Sequence, residues 1–391
     1  VGQTDPAHKI LMACASYWTT PFQVGSHHLA RGFVKTGCTV GFVSDPLSPL
    51  HALGPARKEL ASRFQLYRDG GMWDLDHKLW AYVPAAWATP RNQPLLRSHW
   101  LERSWAGLTW PAVGTVVREH GFGTVDLLYC DSPKHLSWLS GISRARTVFR
   151  VADNTSGFGR TTGAARAAER ELAAAADLVV YSAETLKEYV ERLKPRRMAH
   201  VPNGVDFSHF AKPDVPVPPE YASIPRPIAV YAGYMDAWFD YALVNRLAAA
   251  LPEISFVLIG GSPQAHGNFA RAANLHLLGP RPFSRLPEYL RAANVGLIPF
   301  DVRNHPTLVH SIHPLKLYEY FAAGLPVVAT RWRELERLQS PAALCASAEE
   351  FAAAITTSVS APAPKDIYRR FAEQADWKHR VLRLLDLAFS A

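Results

Sequence analysis

Short apolar runs alternate with stretches of helical period through most of this chain, and that alternation restricts it to β/α units built around parallel sheets. In the first half the strand candidates are Ile10 to Cys14, Thr39 to Val43, Val125 to Cys130, Thr147 to Val151, Leu178 to Tyr181 and Met198 to Val201. Helices are expected between them at about Ser26 to Lys35, Gly163 to Ala175 and Ala183 to Leu193. A second series runs through Ile228 to Ala232, Ile254 to Ile259, Leu275 to Leu278, Val295 to Pro299 and Pro326 to Ala329. Between the two series lies 212–227, punctuated by Pro213, Pro216, Pro218, Pro219, Pro225 and Pro227. So many prolines exclude a helix interior or a central strand, so this stretch reads as the linker between two domains. The expected organisation is a first doubly wound domain over 1–211, a second over 228–365 and a C-terminal helical segment over 366–391. Strand ends of such domains carry their ligands, which puts the expected active site in the cleft between them.

With 391 residues, 48% of them hydrophobic, the chain has enough apolar surface for two cores. No apolar run reaches 18 residues and the stretch Val1 to Leu11 is polar, so neither a membrane span nor a signal peptide is expected and the cytoplasm is the default. Cys14, Cys38, Cys130 and Cys345 are scattered and fall in or near apolar runs, as small buried residues do. The formal charge of +8 permits anionic partners of several kinds, but no nucleic-acid-binding signature accompanies it.

One segment breaks the rhythm. From Ser44 to Trp110 no β/α alternation is evident, and Trp73, Trp80, Trp87, Trp100, Trp105 and Trp110 are interleaved with Arg91, Arg97, His99 and Arg103. Trp with Arg suits a membrane interface or the face of a sugar, and Trp80, Trp87, Arg97, Trp100 and Arg103 are candidates for acceptor or membrane contact. Packing of the same aromatics into a subdomain core is the competing expectation.

The stretch from Ser311 to Thr330 reads as a loop, an amphipathic helix and a buried strand: Pro314 opens the helix, Gly324 stops it, and Val327 to Thr330 form the strand. Free N–H groups at that helix start attract anions and Lys316 adds a full charge, so a nucleotide diphosphate fits, with Glu319 one turn on able to accept from ribose hydroxyls. In Ala232-Gly-Tyr-Met-Asp236 the strand ends in a glycine that lets backbone approach a ligand, which makes Gly233, Tyr234 and Met235 donor-site candidates; Gly260-Gly-Ser262 repeats the pattern. Arg281, in Leu278-Gly-Pro-Arg-Pro-Phe283, is a cation for phosphate or carboxylate, or a solvated side chain.

Asp153 follows the run Thr147 to Val151 and could serve as a general base or cap the helix that follows. His27 and His28 open the first helix, where an imidazole can act as base or simply pack. Asp74-Leu-Asp76 matches a metal-holding D-x-D but lacks a β/α frame, and His305, His310 and His313 have no second cluster of ligands beside them, so no metal is expected and these histidines read as substrate-facing or merely solvated, with His313 the donor-site candidate.

Taken in order, Val201-Pro-Asn-Gly-Val-Asp206, Gly233 to Asp236, Gly279, the run Leu290 to Pro299 and His313-Pro-Leu-Lys-Leu-Tyr-Glu-Tyr-Phe-Ala-Ala-Gly324 resemble GT-B-fold glycosyltransferases across nearly the whole chain. The parallel extends to bacterial exopolysaccharide transferases of the xanthan glucuronosyltransferase type. That resemblance implies an α/β fold of two Rossmann-like domains with a C-terminal helix crossing back to the first. It also implies a UDP-sugar donor held by the second domain, with UDP-glucuronate among the candidates, and metal-independent inverting transfer with no cofactor. Arg150-Val-Ala-Asp153 occupies the place of the R-x-x-D base; Met235 falls near the donor, Lys316 at the phosphates and His27 at the matching spot on the first helix. The implied acceptor is a lipid-linked or growing oligosaccharide at the inner membrane face, with the protein peripherally associated there. The sequence departs from the related family 4 pattern Glu-x7-Glu at Ser311, which argues against a retaining mechanism. It departs from the xanthan type at Pro280 and Arg281, which stand where that type has an acidic residue and Met. A retaining family 4-like transferase and a non-catalytic sugar-binding or assembly subunit are the alternatives.

Overall fold

The computed structural model describes residues 8–49, 51, 57–158, 161–261 and 263–390. The described chain forms two compact units: one holds the residues up to Thr20, Val24–Pro202 and those from Lys378 on, and the other holds Pro21–Gln23 and Asn203–Trp377.

The first unit contains an eight-stranded sheet. Its strands are β1 (Lys9–Cys14), β2 (Thr39–Ser44), β3 (Met72–Asp74), β4 (Leu79–Tyr82), β5 (Thr124–Cys130), β6 (Ser143–Val151), β7 (Leu178–Tyr181) and β8 (Met198–His200). They lie in the order β3-β4-β2-β1-β5-β6-β7-β8, all pairs parallel except β3 with β4. Strand β1 is central because Ile10 to Cys14 are buried on both faces, the signature of a sheet covered by helices on either side.

The second unit has six strands: β9 (Ile228–Gly233), β10 (Ser255–Gly260), β11 (Leu275–Gly279), β12 (Val295–Ile298), β13 (Val327–Thr330) and β14 (Ala343–Cys345). They order as β11-β10-β9-β12-β13-β14, every pair parallel. The reversal of chain progression between β9 and β12 is the switch point of a doubly wound sheet, where the loops after neighbouring strands splay apart and leave room for a ligand.

Three expectations need correction. The irregular arm contributes β3 and β4 to the first sheet; Leu-Trp-Ala-Tyr of β4 is fully buried and pairs in parallel with β2. The unit boundary falls at Pro202/Asn203 rather than after residue 211, because Phe210, Tyr221 and Ile224 are buried in the second unit's core; the proline-rich stretch is thus part of that unit. The C-terminal segment is two helices, Lys365–Glu373 and Trp377–Phe389, not one.

Candidate functional site

In the second unit the sequence elements converge on the C-terminal ends of β9 and β10. Gly233 closes β9 with φ 150° and pairs in register with Gly260, whose φ is 114°. The two backbones touch: a Cβ on Gly260 would lie 2.1 Å from the Gly233 carbonyl oxygen, so only glycine fits there. A Cβ on Gly233 would lie 2.3 Å from Cε and 2.6 Å from Nζ of Lys316, which places the lysine amine directly on the loop after β9. Lys316 sits in the first turn of the helix Leu315–Ala322, with Pro314 at its N-cap. Its Nζ stands 5.4 Å from the Tyr231 ring centre and 6.0 Å from that of Phe300, both within cation–π range. It makes no hydrogen bond or ion pair with another described residue. Burial lowers its pKa below the ordinary lysine value, and Glu319 opposes that shift. Glu319 is itself buried on the same helix, and burial pushes its carboxyl up to about 7 against the pull of Lys316. A lysine amine on a glycine loop beside a helix start has the charge and the N–H groups that suit an anion such as a diphosphate.

The loop that follows is pinned by aromatic hydroxyls. Tyr231 donates to the Tyr234 carbonyl at 2.6 Å, Tyr241 to the Met235 carbonyl at 3.2 Å, and the Ala232 N–H donates to the Tyr320 hydroxyl at 2.8 Å. Sequence reading missed Tyr231, two positions before Gly233, and Tyr320, one helical turn after Lys316. Met235 is buried and Tyr234 exposed. A Cβ on Gly261 would meet the Met235 sulfur at 3.0 Å. Ser262 lies outside the described residues.

Two donor-site candidates are otherwise engaged. The Arg281 guanidinium donates to Glu220 at 3.2 Å, to the Tyr289 hydroxyl at 3.0 Å and to the Leu278 carbonyl, so it braces the turn after β11 instead of presenting a cation. His313 is buried, with Nε2 3.2 Å from the Tyr318 hydroxyl and its ring stacked on Tyr318, while its carbonyl accepts from Asn203 at 2.7 Å. It shapes the loop into the Lys316 helix from within the core.

In the first unit Asp153 follows β6. The helix Gly163–Ala175 is capped by Thr162, whose hydroxyl accepts from the Ala165 N–H at 3.0 Å, so Asp153 is not the cap. Asn154 serves the local turn, accepting from the Ser156 N–H at 3.2 Å. Asp153 makes no hydrogen bond with another described residue, and burial raises its pKa while the Arg150 charge lowers it. A carboxylate so placed has raised basicity, as a general base requires.

His27 does not have such freedom. It is fully buried; the Val24 N–H donates to its Nδ1 at 3.2 Å, which leaves the proton on Nε2, 3.0 Å from the Tyr17 carbonyl. Burial holds its pKa at about 4, so both ring nitrogens are committed and the expected catalytic role is overturned in favour of a packed imidazole. Trp80 is likewise a core residue, stacked 4.2 Å from His120 and 5.9 Å from Phe122, with no exposed surface to offer an acceptor or membrane. Trp87 and Trp100 are 74% and 64% exposed, and Arg97 is exposed as well. Arg103 pairs with Glu171.

Comparison with known proteins supplies the context for this geometry. The family described as "Glucuronosyltransferase GumK, N-terminal domain" matches residues 12–182, and "Glycosyl transferases group 1" matches residues 226–360. A Bacillus subtilis (strain 168) protein provisionally named a teichuronic acid biosynthesis glycosyltransferase, TuaH, is 24% identical over 187 residues, 45% of this chain and 46% of that protein. The match thus spans about half of that relative's length. Among solved structures, sucrose-phosphate synthase from Thermosynechococcus elongatus superposes with a TM-score of 0.68 at 17% identity, covering 97% of this chain and 98% of its own. Anabaena Alr3699/HepE in complex with UDP and glucose superposes at 0.63 with 16% identity, covering 98% and 100%. At these identities the superpositions establish the two-domain GT-B fold.

Proposed function

We propose that this chain, which has the GT-B fold and resembles the GumK type, is a glycosyltransferase that moves a sugar from a UDP-sugar to a hydroxyl of a lipid-linked or growing oligosaccharide. The observation that carries this reading is the Lys316 amine resting on Gly233 at the switch point of the second sheet. There it stabilises the charge that develops on the departing diphosphate, together with the N–H groups at the start of Leu315–Ala322. Glu319, one turn further, accepts from the ribose. Asp153 takes the proton of the acceptor hydroxyl as its oxygen attacks the anomeric carbon and UDP leaves, which inverts the configuration. The donor in this reading is UDP-glucuronate, which the name of the family matching residues 12–182 supports. The lipid-linked acceptor and the membrane face are supported by exposed Trp87, Trp100 and Trp110 and by an apolar groove of about 510 Å³ in the first unit, lined by Leu47, Leu60, Phe64, Tyr67, Trp87 and Trp110.

The reading is tested by Asp153→Asn. Transfer from radiolabelled UDP-glucuronate to lipid extracts should fall by about a thousand-fold or more, as loss of a general base does, while UDP affinity stays at the wild-type value. Wild-type transfer by the variant removes Asp153 from the reaction.

A further inference from the structure

The carboxylate of Asp153 makes no hydrogen bond with another described residue, yet the backbone on either side of it is held by side chains that no step above uses. On the β6 side, Ser182 follows β7 and is fully buried. Its N–H donates to the Val151 carbonyl at 3.2 Å and its hydroxyl to the Ala152 carbonyl at 2.6 Å. The neighbouring strand thus extends its grip to the residue just before Asp153.

On the other side, Thr155 opens the short turn Thr155–Phe158, and other side chains close on it. Its hydroxyl donates to Glu169 Oε2 at 3.1 Å and stands 3.0 Å from the Tyr189 hydroxyl, which donates to that same oxygen at 2.6 Å. The Thr155 carbonyl accepts from the Thr161 hydroxyl. Glu169 comes from the helix Gly163–Ala175 and Tyr189 from the helix Lys187–Arg192, so two separate helices of the first unit meet on one loop hydroxyl.

Stability alone does not account for this cluster. Glu169 is 1% exposed, and its Oε1 has no hydrogen-bond partner among the described residues. An unsatisfied buried carboxyl oxygen costs about 1–3 kcal/mol, and an apolar side chain at that place on the helix would pack without that cost. What the carboxyl supplies is an acceptor aimed at the loop. A general base must be fixed in place while its own lone pairs stay open for the incoming proton, and fixing its neighbours in the chain meets both demands.

We propose that Ser182 on one side, and Thr155, Glu169 and Tyr189 on the other, are positioning residues that hold Asp153 for proton transfer. The assignment rests on the reading of Asp153 as the general base and adds the groups that aim it.

Thr155→Val removes one hydroxyl with almost no change of shape, and Ser182→Ala does the same on the opposite flank. Turnover of either variant, measured as transfer from radiolabelled UDP-glucuronate to lipid extracts, should fall by about 10- to 100-fold, the cost of displacing a reacting group by up to about 1 Å. Calorimetric UDP affinity should stay at the wild-type value, and Thr155→Ser, which keeps the hydroxyl, should recover most of the lost turnover. Hydrogen–deuterium exchange of both variants should quicken across 153–158 and keep its wild-type rate in β5 and β6, which separates a loosened loop from a misfolded chain. In an Asp153→Asn background either change should cost less than about two-fold further, because the base it aims is gone. Undiminished turnover in both variants, or the same fold-loss in the Asp153→Asn background, overturns the assignment while leaving Asp153 as the base. Wild-type turnover by Asp153→Asn alone refutes the reading of the base instead, and the assignment falls with it.

Discussion

Replacing Gly233 by Ala isolates the contact on which the donor site depends. The new Cβ would lie 2.3 Å from Lys316 Cε, far inside contact distance, and the side that yields is the flexible lysine tip, not a backbone. The amine is therefore displaced from the loop after β9. If it serves a diphosphate, the loss is that of one charge-assisted hydrogen bond, about 1.5–3 kcal/mol, which weakens UDP binding by about 10- to 150-fold. Alanine at φ 150° adds backbone strain of about 1–3 kcal/mol, read separately as a fall in folding stability. The assay is calorimetric titration of UDP into Gly233→Ala, Lys316→Ala and the double variant. Because both changes act through one amine, the double variant should bind no more weakly than Lys316→Ala alone. UDP affinity of Gly233→Ala within about two-fold of wild type, or fully additive losses in the double variant, would refute the reasoning: the first denies the amine a role, and the second gives the glycine one of its own.

Two further expectations concern each unit separately. Burial raises the Glu319 carboxyl from 4.5 to about 7, so the folded protein holds that proton more tightly than the unfolded chain; its contribution is complete below pH 4.5 and is lost as pH rises through about 7. Glu319→Gln should therefore gain about 3 kcal/mol relative to wild type between pH 4.5 and 8 in urea unfolding without ligand, and a pH-independent difference contradicts the account. In the first unit, flotation with anionic liposomes at low salt should carry the wild-type protein up, and Trp87→Ala combined with Trp100→Ala should leave it in solution; a wild type that stays at the bottom denies membrane binding to this aromatic face.

The parallel strands were legible because a sheet covered on both faces demands unbroken apolar runs, and β7, for instance, occupies the four residues Leu178–Tyr181 read as a strand. Strand β4 was not, because Leu-Trp-Ala-Tyr lies in a segment without β/α alternation among neighbouring tryptophans, and only pairing with β2 shows that it is sheet. Trp80 and Trp87 are seven residues apart in one aromatic segment, yet one is buried and the other 74% exposed, a difference set by tertiary packing. That Gly233 ends its strand and that Lys316 sits at the start of its helix were readable, since both depend on local sequence. His27 was misread because its fate depends on Tyr17, ten positions earlier, whose carbonyl faces Nε2.

The central claim, that a UDP-sugar is held at the switch point of the second sheet, is tested most directly by hydrogen–deuterium exchange with UDP-glucuronate. Saturating ligand should slow exchange across Gly233–Met235 and the start of Leu315–Ala322, and Lys316→Ala should abolish that protection at the same ligand concentration. Exchange in both segments that is unchanged by UDP, UDP-glucose and UDP-glucuronate would contradict it.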